Sequence, residues 1–427
     1  MRVVLIAILL ASVAGAAAAA EKPGEAASPP SLQVRSAGLL LPAGFRATVF
    51  SEGVGPARHI AVRDNGDVYV ALRSASDGGG VVGLRDTDGD GKANRAIRFG
   101  STGGTGIAIR DGYLYYSSDL AVFRRRLGRE LGPDGERETV VTGFPEQNGH
   151  RAKSLAFDGE GRLYVNVGAP SNACMEERRT KGSPGIPDCP QLLRHAGVWR
   201  FPADRLGLTQ ADDGHRFATG LRNSVALTWN PLAQRVFVVQ HGRDQLRQFW
   251  KALYTPEESA VLPAEELHVL GDGSNAGWPY TYWDAFRNAR MLAPEYGGDG
   301  KKKAPAGKYQ DPLVALPAHW GPNAIVFYDG EQFPERYRGG AFVAFHGSWN
   351  RSPLPQQGYN VVFVPFDGPA PSGGWEVFAD GFSQAGVVEE PIDAVYRPTG
   401  LAVGPDGALY VVESKSGRIW RITHGGS

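Results

Sequence analysis

The chain contains the stretches GHRAKSL, GLRNSVAL and VVQHGRD, in which histidine, arginine and amide side chains sit directly beside alternating apolar segments. An imidazole such as His150 can act as a general base, because its ordinary pKa lies near neutrality and one ring nitrogen can take a proton. Read alone, a histidine in a turn more often packs or hydrogen-bonds locally. Arg222 and Asn223 precede one apolar segment, and Gln240 to Asp244 follow it. Trp320 precedes the next segment, Arg351 follows it, and Arg397 precedes the last. Each has a plainer role: a guanidinium suits loop carbonyls, and a tryptophan suits a core. If Arg222, Arg351 and Arg397 meet near one axis, however, they repel one another unless an anion sits among them. A ligand carrying carboxylates or phosphates is therefore expected.

What could bring them together is a repeated unit. An alternating segment, a turn rich in Asp, Asn and Gly, and a second alternating segment recur six times, starting near His59, Gly106, Ser154, Ala226, Ala324 and Gly400. Period-two alternation around a turn is the hairpin signal. Successive starts lie 47, 48, 72, 98 and 76 residues apart, a spacing that suits propeller blades, the later ones with long loops. The reading is an all-β, six-bladed β-propeller over residues 40–424, preferred to a pair of β-sandwiches. FRATVF, Phe45 to Phe50, is expected to join the last strand, GRIWRI, and so close the ring without an exposed edge. The longest insertion, between Gln245 and Asn323, contains FWKALYTPEESAVLPAEELHVL, partly helical in pattern and expected to lie over one face.

Lys plus Arg and Asp plus Glu both number 45, so nothing electrostatic favours nucleic acid. The first 20 residues, an arginine and then an apolar run ending in alanines, read as a cleaved secretory signal. Residues 21–39 read as a disordered leader. No later stretch is long and apolar enough to span a bilayer, so a periplasmic or secreted location is expected. In such a compartment Cys174 and Cys189 are expected to pair, worth about 3 kcal/mol for a loop of that size, with two buried free thiols as the alternative. DTDGDGKAN offers Asp86, Asp88 and Asp90 at alternate positions, but Ile97 occupies the place of the terminal acid in a calcium loop. A solvated hairpin turn is favoured there over a structural Ca²⁺. Lys301 to Lys303 read as a solvated loop. His195, His215, His319 and His346 lack zinc-site spacing.

GHRAKSLAFDGEGRLYVNVG, GLRNSVALTWNPLAQRVFVVQHGRD, SNAGWPY and YRPTGLAVGPDGALYVVES resemble motifs of the soluble pyrroloquinoline quinone (PQQ) dependent glucose/sorbosone dehydrogenase family. The likeness spans nearly all of Leu40 to Thr423 and is nearest the sorbosone or pyranose dehydrogenase branch. It implies a six-bladed propeller oxidising a sugar or sugar-derived aldehyde, with hydride transfer to PQQ and electrons passed to an external acceptor. His150 then matches the base and Arg222 lies by the reacting quinone oxygen. Asn223, Arg351 and Arg397 hold the cofactor, Ca²⁺ takes the main-chain oxygens of His241 and Gly242 with Gln240 orienting that loop, and Trp320 stacks on the sugar. Where glucose-oxidising members carry an acid before the histidine, this chain has Gly149, which tells against glucose. Two other readings remain open. A calcium-dependent propeller lactonase or hydrolase would need several channel carboxylates, and only Asp244 is evident. A non-catalytic propeller would use the same arginines to bind an acidic ligand.

Overall fold

The computed structural model describes residues 32–76 and 78–425. The expected signal segment, and the leader up to residue 31, lie outside the described residues.

The six repeated segments form the inner strands of six sheets: Ala57–Val62, Ile107–Arg110, Leu155–Phe157, Ala226–Asn230, Pro322–Phe327 and Pro398–Val403. Each pairs antiparallel with the strand that follows it across the Asp/Asn/Gly turn. Each inner strand also neighbours the inner strands of the sheets on either side, and the sixth neighbours the first, so the ring is closed. Every blade is built on four antiparallel strands. The second and third gain a short parallel fifth strand, Leu208–Thr209 and Ser274–Asn275.

The sixth blade takes its outer strand from the other end of the chain. Phe45–Ser51 pairs with Ile419–His424, Phe45 opposite His424 and Val49 opposite Trp420. This is the closure expected from FRATVF and GRIWRI, and it completes the four strands of that blade with Phe45–Ser51 outermost. The core lies between blades. Phe45, Phe333, Phe342, Phe378 and Trp420, each at most 3% exposed, fill the space between the fifth and sixth. Each such side chain contributes roughly 1.5–3 kcal/mol by leaving water.

One expectation needs correction. The end of the leader is ordered: Val34–Ser36 pairs with Leu39–Leu41, and Leu40 bridges to Asp380. Leu39 and Leu41 are fully buried, and their apolar area offsets the entropy of ordering this segment. The long insertion is partly helical, as expected: its α-helices are Leu246–Phe249 and Pro256–Val261, and Pro294–Tyr296 forms a 3₁₀ turn. Thr255 caps the second of these with a reciprocal bond to Glu258. The remaining EELHVL is strand, Glu265–Leu270, third in the fourth blade, and Val314–Leu316 completes that sheet.

Candidate active site

In each blade, the turn into the inner strand and the turn out of the second strand open on the same side of the ring. Those turns line a cavity of about 570 Å³ to which all six blades contribute. The first gives Arg58 and Arg73, the second Asp119, the third Asn148, His150 and Arg151. The fourth gives Arg222, Asn223, His241, Gly242, Asp244 and Glu265, the fifth His319, Asn323, His346 and Trp349, and the sixth Arg397 and Lys415.

His150 sits in the left-handed region (φ 51°), uncommon for a residue with a side chain. Gln147 holds it there, its amide nitrogen donating to the carbonyls of Gly149 and His150 at 2.7 and 2.9 Å. Nδ1 of His150 lies 2.7 Å from the carbonyl oxygen of Ala169. A carbonyl only accepts, so Nδ1 carries the proton and Nε2 presents its lone pair. Burial, and then the charge of Arg222, push the imidazole down to about 3, so the ring is neutral at ordinary pH.

Arg222 is 4% exposed and donates to the Gly242 carbonyl at 2.9 Å and to the Asp244 carboxylate at 2.7 Å. Asp244 is gripped in turn by Asn172, which bonds both its backbone N–H and its carbonyl. Asn172 belongs to the disulfide loop: Cys174 and Cys189 are bonded, with Cα atoms 6.3 Å apart, and Trp278 packs on them while donating to the Asn172 carbonyl. The NAC…DC loop, the GWPY turn and the QHGRD turn thus form one connected support for Arg222. Arg397 donates to the carbonyls of His346 and Gly347, both at 2.9 Å, and lies over the Tyr359 ring.

The cavity has an excess of cations. Six lining side chains are Arg or Lys and three are carboxylic acids. Asp119 pairs with Arg151 and Asp244 with Arg222. Glu265 has no cationic partner within bonding range; burial pushes it up to about 8, although it accepts the N–H groups of Gly242 and Gly321. Arg58 is lowered to about 10, by burial first and then by Arg73. Nε of Arg58, Nε of Arg222 and Oδ1 of Asn223 are buried without a partner. The two guanidinium N–H groups, in a cation-rich cavity, fit an anionic ligand with carbonyl and carboxylate groups, whereas the Asn223 oxygen calls for a donor.

Of the residues expected here, His150, Arg222, Asn223, Arg397, His241 and Gly242 line one cavity. Gln240 lies just behind, its amide oxygen accepting the Arg222 N–H at 3.1 Å, a buried position that suits orienting the loop. Arg351 does not line the cavity: its guanidinium is spent on the carbonyls of Pro355, Ala260 and Ala318. Trp320 does not line it either, being 8% exposed and packed edge-on against Phe345 and Trp375. The exposed indole at the cavity is Trp349, 53% exposed, in the same HGSWNR stretch that had drawn attention to Arg351. Arg58 and Arg73 also went unread, although Arg58 precedes His59 much as His150 precedes the third repeat.

Asp86, Asp88 and Asp90 bring ligand oxygens within 4.8 Å of one another, away from the cavity. Asp86 already accepts the N–H groups of Gly89 and Gly91, at 2.7 and 2.8 Å, as a hairpin turn requires.

The chain as a whole is similar to known proteins. The family model described as TrAA12-like matches residues 39–425. A pyrroloquinoline quinone-dependent pyranose dehydrogenase of Coprinopsis cinerea is 29% identical over 286 residues, covering 56% of this chain and 36% of that protein. An uncharacterized protein of Borreliella burgdorferi is 27% identical over 208 residues, 48% of each chain. The alignments therefore span about a third and about half of those curated relatives. Among solved structures, the holo form of the pyranose dehydrogenase PQQ domain from Coprinopsis cinerea superposes with a TM-score of 0.72 at 20% identity, covering 93% of this chain and 98% of that one. The calcium structure of the family AA12 enzyme from Trichoderma reesei gives 0.73 at 20% identity, covering 92% and 99%. The structural likeness carries the fold, and the family model carries the membership: the six-bladed chain described here belongs to the TrAA12-like family.

Proposed function

We propose that the protein is a PQQ- and calcium-dependent dehydrogenase that oxidises a sugar or sugar-derived aldehyde outside the cytoplasm and passes the electrons to an external acceptor. The observation that carries this reading is a neutral imidazole, its tautomer fixed by Ala169, facing the same cavity as a set of arginines that outnumber their acids.

The donor set fits such a cofactor. Unpartnered Nε–H groups on Arg58 and Arg222, together with Arg397 in the same cavity, match the carbonyl and carboxylate groups of a tricarboxylate quinone, and the Asn223 amide oxygen, which only accepts, suits an N–H or O–H donor. The main-chain oxygens of His241 and Gly242 are hard ligands suited to calcium, and Glu265 steadies the Gly242 end of that turn. When bound there, the quinone supplies a hydride acceptor and the calcium ion a Lewis acid. The chain's own groups do the rest. His150 takes the proton from the substrate hydroxyl at Nε2 while its Nδ1–H stays on Ala169. Arg222, locked between Gly242 and Asp244, places fixed positive charge where negative charge develops. Trp349 offers the sugar an apolar face.

The hydrolase reading finds less support, because two of the three cavity acids are tied up by arginines and the third by backbone N–H groups. The disulfide, and the absence among the described residues of any helix able to cross a membrane, agree with the proposed location. Purified protein supplied with PQQ and Ca²⁺ should reduce a dye in the presence of pyranoses, and His150→Ala should lose roughly 10²–10⁴-fold in kcat while retaining PQQ. Near-normal turnover of that variant would remove His150 from the chemistry.

A further inference from the structure

A second groove, of about 690 Å³, opens beside the fifth blade. It is distinct from the cavity already described, although the two approach closely: Gly321 lines the cavity and its neighbour Trp320 lines the groove. Its walls are the turn at 355–360 and the segment 380–388.

Two buried side chains there lack partners. Trp320 is 8% exposed and Asn360 is 5% exposed, and both line the groove. The indole Nε1 and the amide Oδ1 are buried with no hydrogen bond. One can only donate and the other only accept, and each costs about 1–3 kcal/mol if left unsatisfied. The surroundings are mixed in character: Leu40, Val377 and Val388 are apolar, while Asp380 carries a carboxyl pushed up by burial. Apart from the Tyr359 phenol, which donates to the Ser348 carbonyl, the ionisable lining residues are Arg35 and Asp380, one of each sign. The groove therefore selects for no net charge, in contrast to the cation-rich cavity.

A hydroxyl group both donates and accepts, so a ligand rich in hydroxyls with apolar C–H faces meets every one of these features, and the volume is that of a small-molecule site. We infer that this groove is a second, non-catalytic saccharide site that binds a neutral oligosaccharide through Trp320 and Asn360. It adds a ligand to the molecule without using His150, PQQ or calcium.

Gly386 gives a test that leaves the fold intact. It lines the groove, and a Cβ built on it meets nothing within 4 Å, so Gly386→Trp adds an indole at the groove from a position with room for a side chain. Trp320→Phe removes the N–H while keeping an aromatic ring against Phe345 and Trp375. Cellotetraose, xylotetraose and mannotetraose are titrated calorimetrically into the cofactor-free protein. The expected result is saturable binding of at least one probe, weakened tenfold or more by Gly386→Trp, weakened by Trp320→Phe, and unchanged in His150→Ala. Failure of all three probes to bind, or binding unaffected by Gly386→Trp, overturns the proposal and leaves the groove to water. Because the readout is binding without PQQ, a failed dehydrogenase assay neither supports nor damages it.

Discussion

His150 is constrained from two sides: Gln147 fixes its backbone and Ala169 its ring. Directly before it, Gly149 leaves open space, since a Cβ there meets nothing within 4 Å. Gly149→Asp should therefore fold normally and place a carboxylate beside the base, raising kcat/KM for glucose relative to other pyranoses by several-fold. An unchanged glucose ratio in the reconstituted enzyme would show that the missing acid does not set specificity. The sequence made His150, Arg222, Asn223 and Arg397 legible because each abuts a recognisable repeat. Trp320 and Arg351 abut repeats too, yet point away from the cavity. A residue's place along a strand gives its level in the blade, whereas side-chain direction depends on packing against the next blade. Glu265 was illegible for another reason: it lies in the long, partly helical insertion, outside the six recognised hairpins, in a segment that folds as strand.

At the level of elements, the approach of two turns sets the site. A Cβ on Gly168 would lie 2.6 Å from Cβ of His150 and 2.8 Å from Oδ1 of Asn223. Gly168→Ala should force these residues apart, costing about 1–3 kcal/mol as overpacking and at least tenfold in kcat. Thermal unfolding and dye reduction together would separate the two losses. The disulfide loop acts through Asn172 on Asp244, and thus on Arg222. The double substitution Cys174→Ser, Cys189→Ser should lower stability by about 3 kcal/mol and weaken PQQ binding, since the loop gains freedom at the point that grips Asp244. Unaltered PQQ affinity would confine the bridge to stability. All six hairpins could be read from period-two alternation, a local property. The strands Leu208–Thr209 and Ser274–Asn275 could not, because they are two residues long and exist only by joining a sheet already formed.

Across the described residues, six histidines from four blades are lowered by burial. His59 and His241 are lowered to about 4 and His150 to about 3, and His195, His319 and His346 are also lowered. In the unfolded chain each titrates near 6.5, so between about pH 6.5 and 4 the unfolded state binds more protons and stability rises with pH. Glu265, raised to about 8, works the other way with a single proton above its ordinary range. The melting temperature of the cofactor-free protein should therefore fall steadily from pH 7 to pH 4.5, and a flat profile over that window would contradict the burial of these rings. The shared sixth blade also imposes an order of manufacture. When the fifth blade's last strand, Glu376–Ala379, has been made, Phe45–Ser51, made first among the blade strands, still awaits its mate at Ile419–His424. Until Ile419–His424 emerges, the strand on either side of that gap lacks its partner, so the nascent chain is at its most adhesive just before this strand appears.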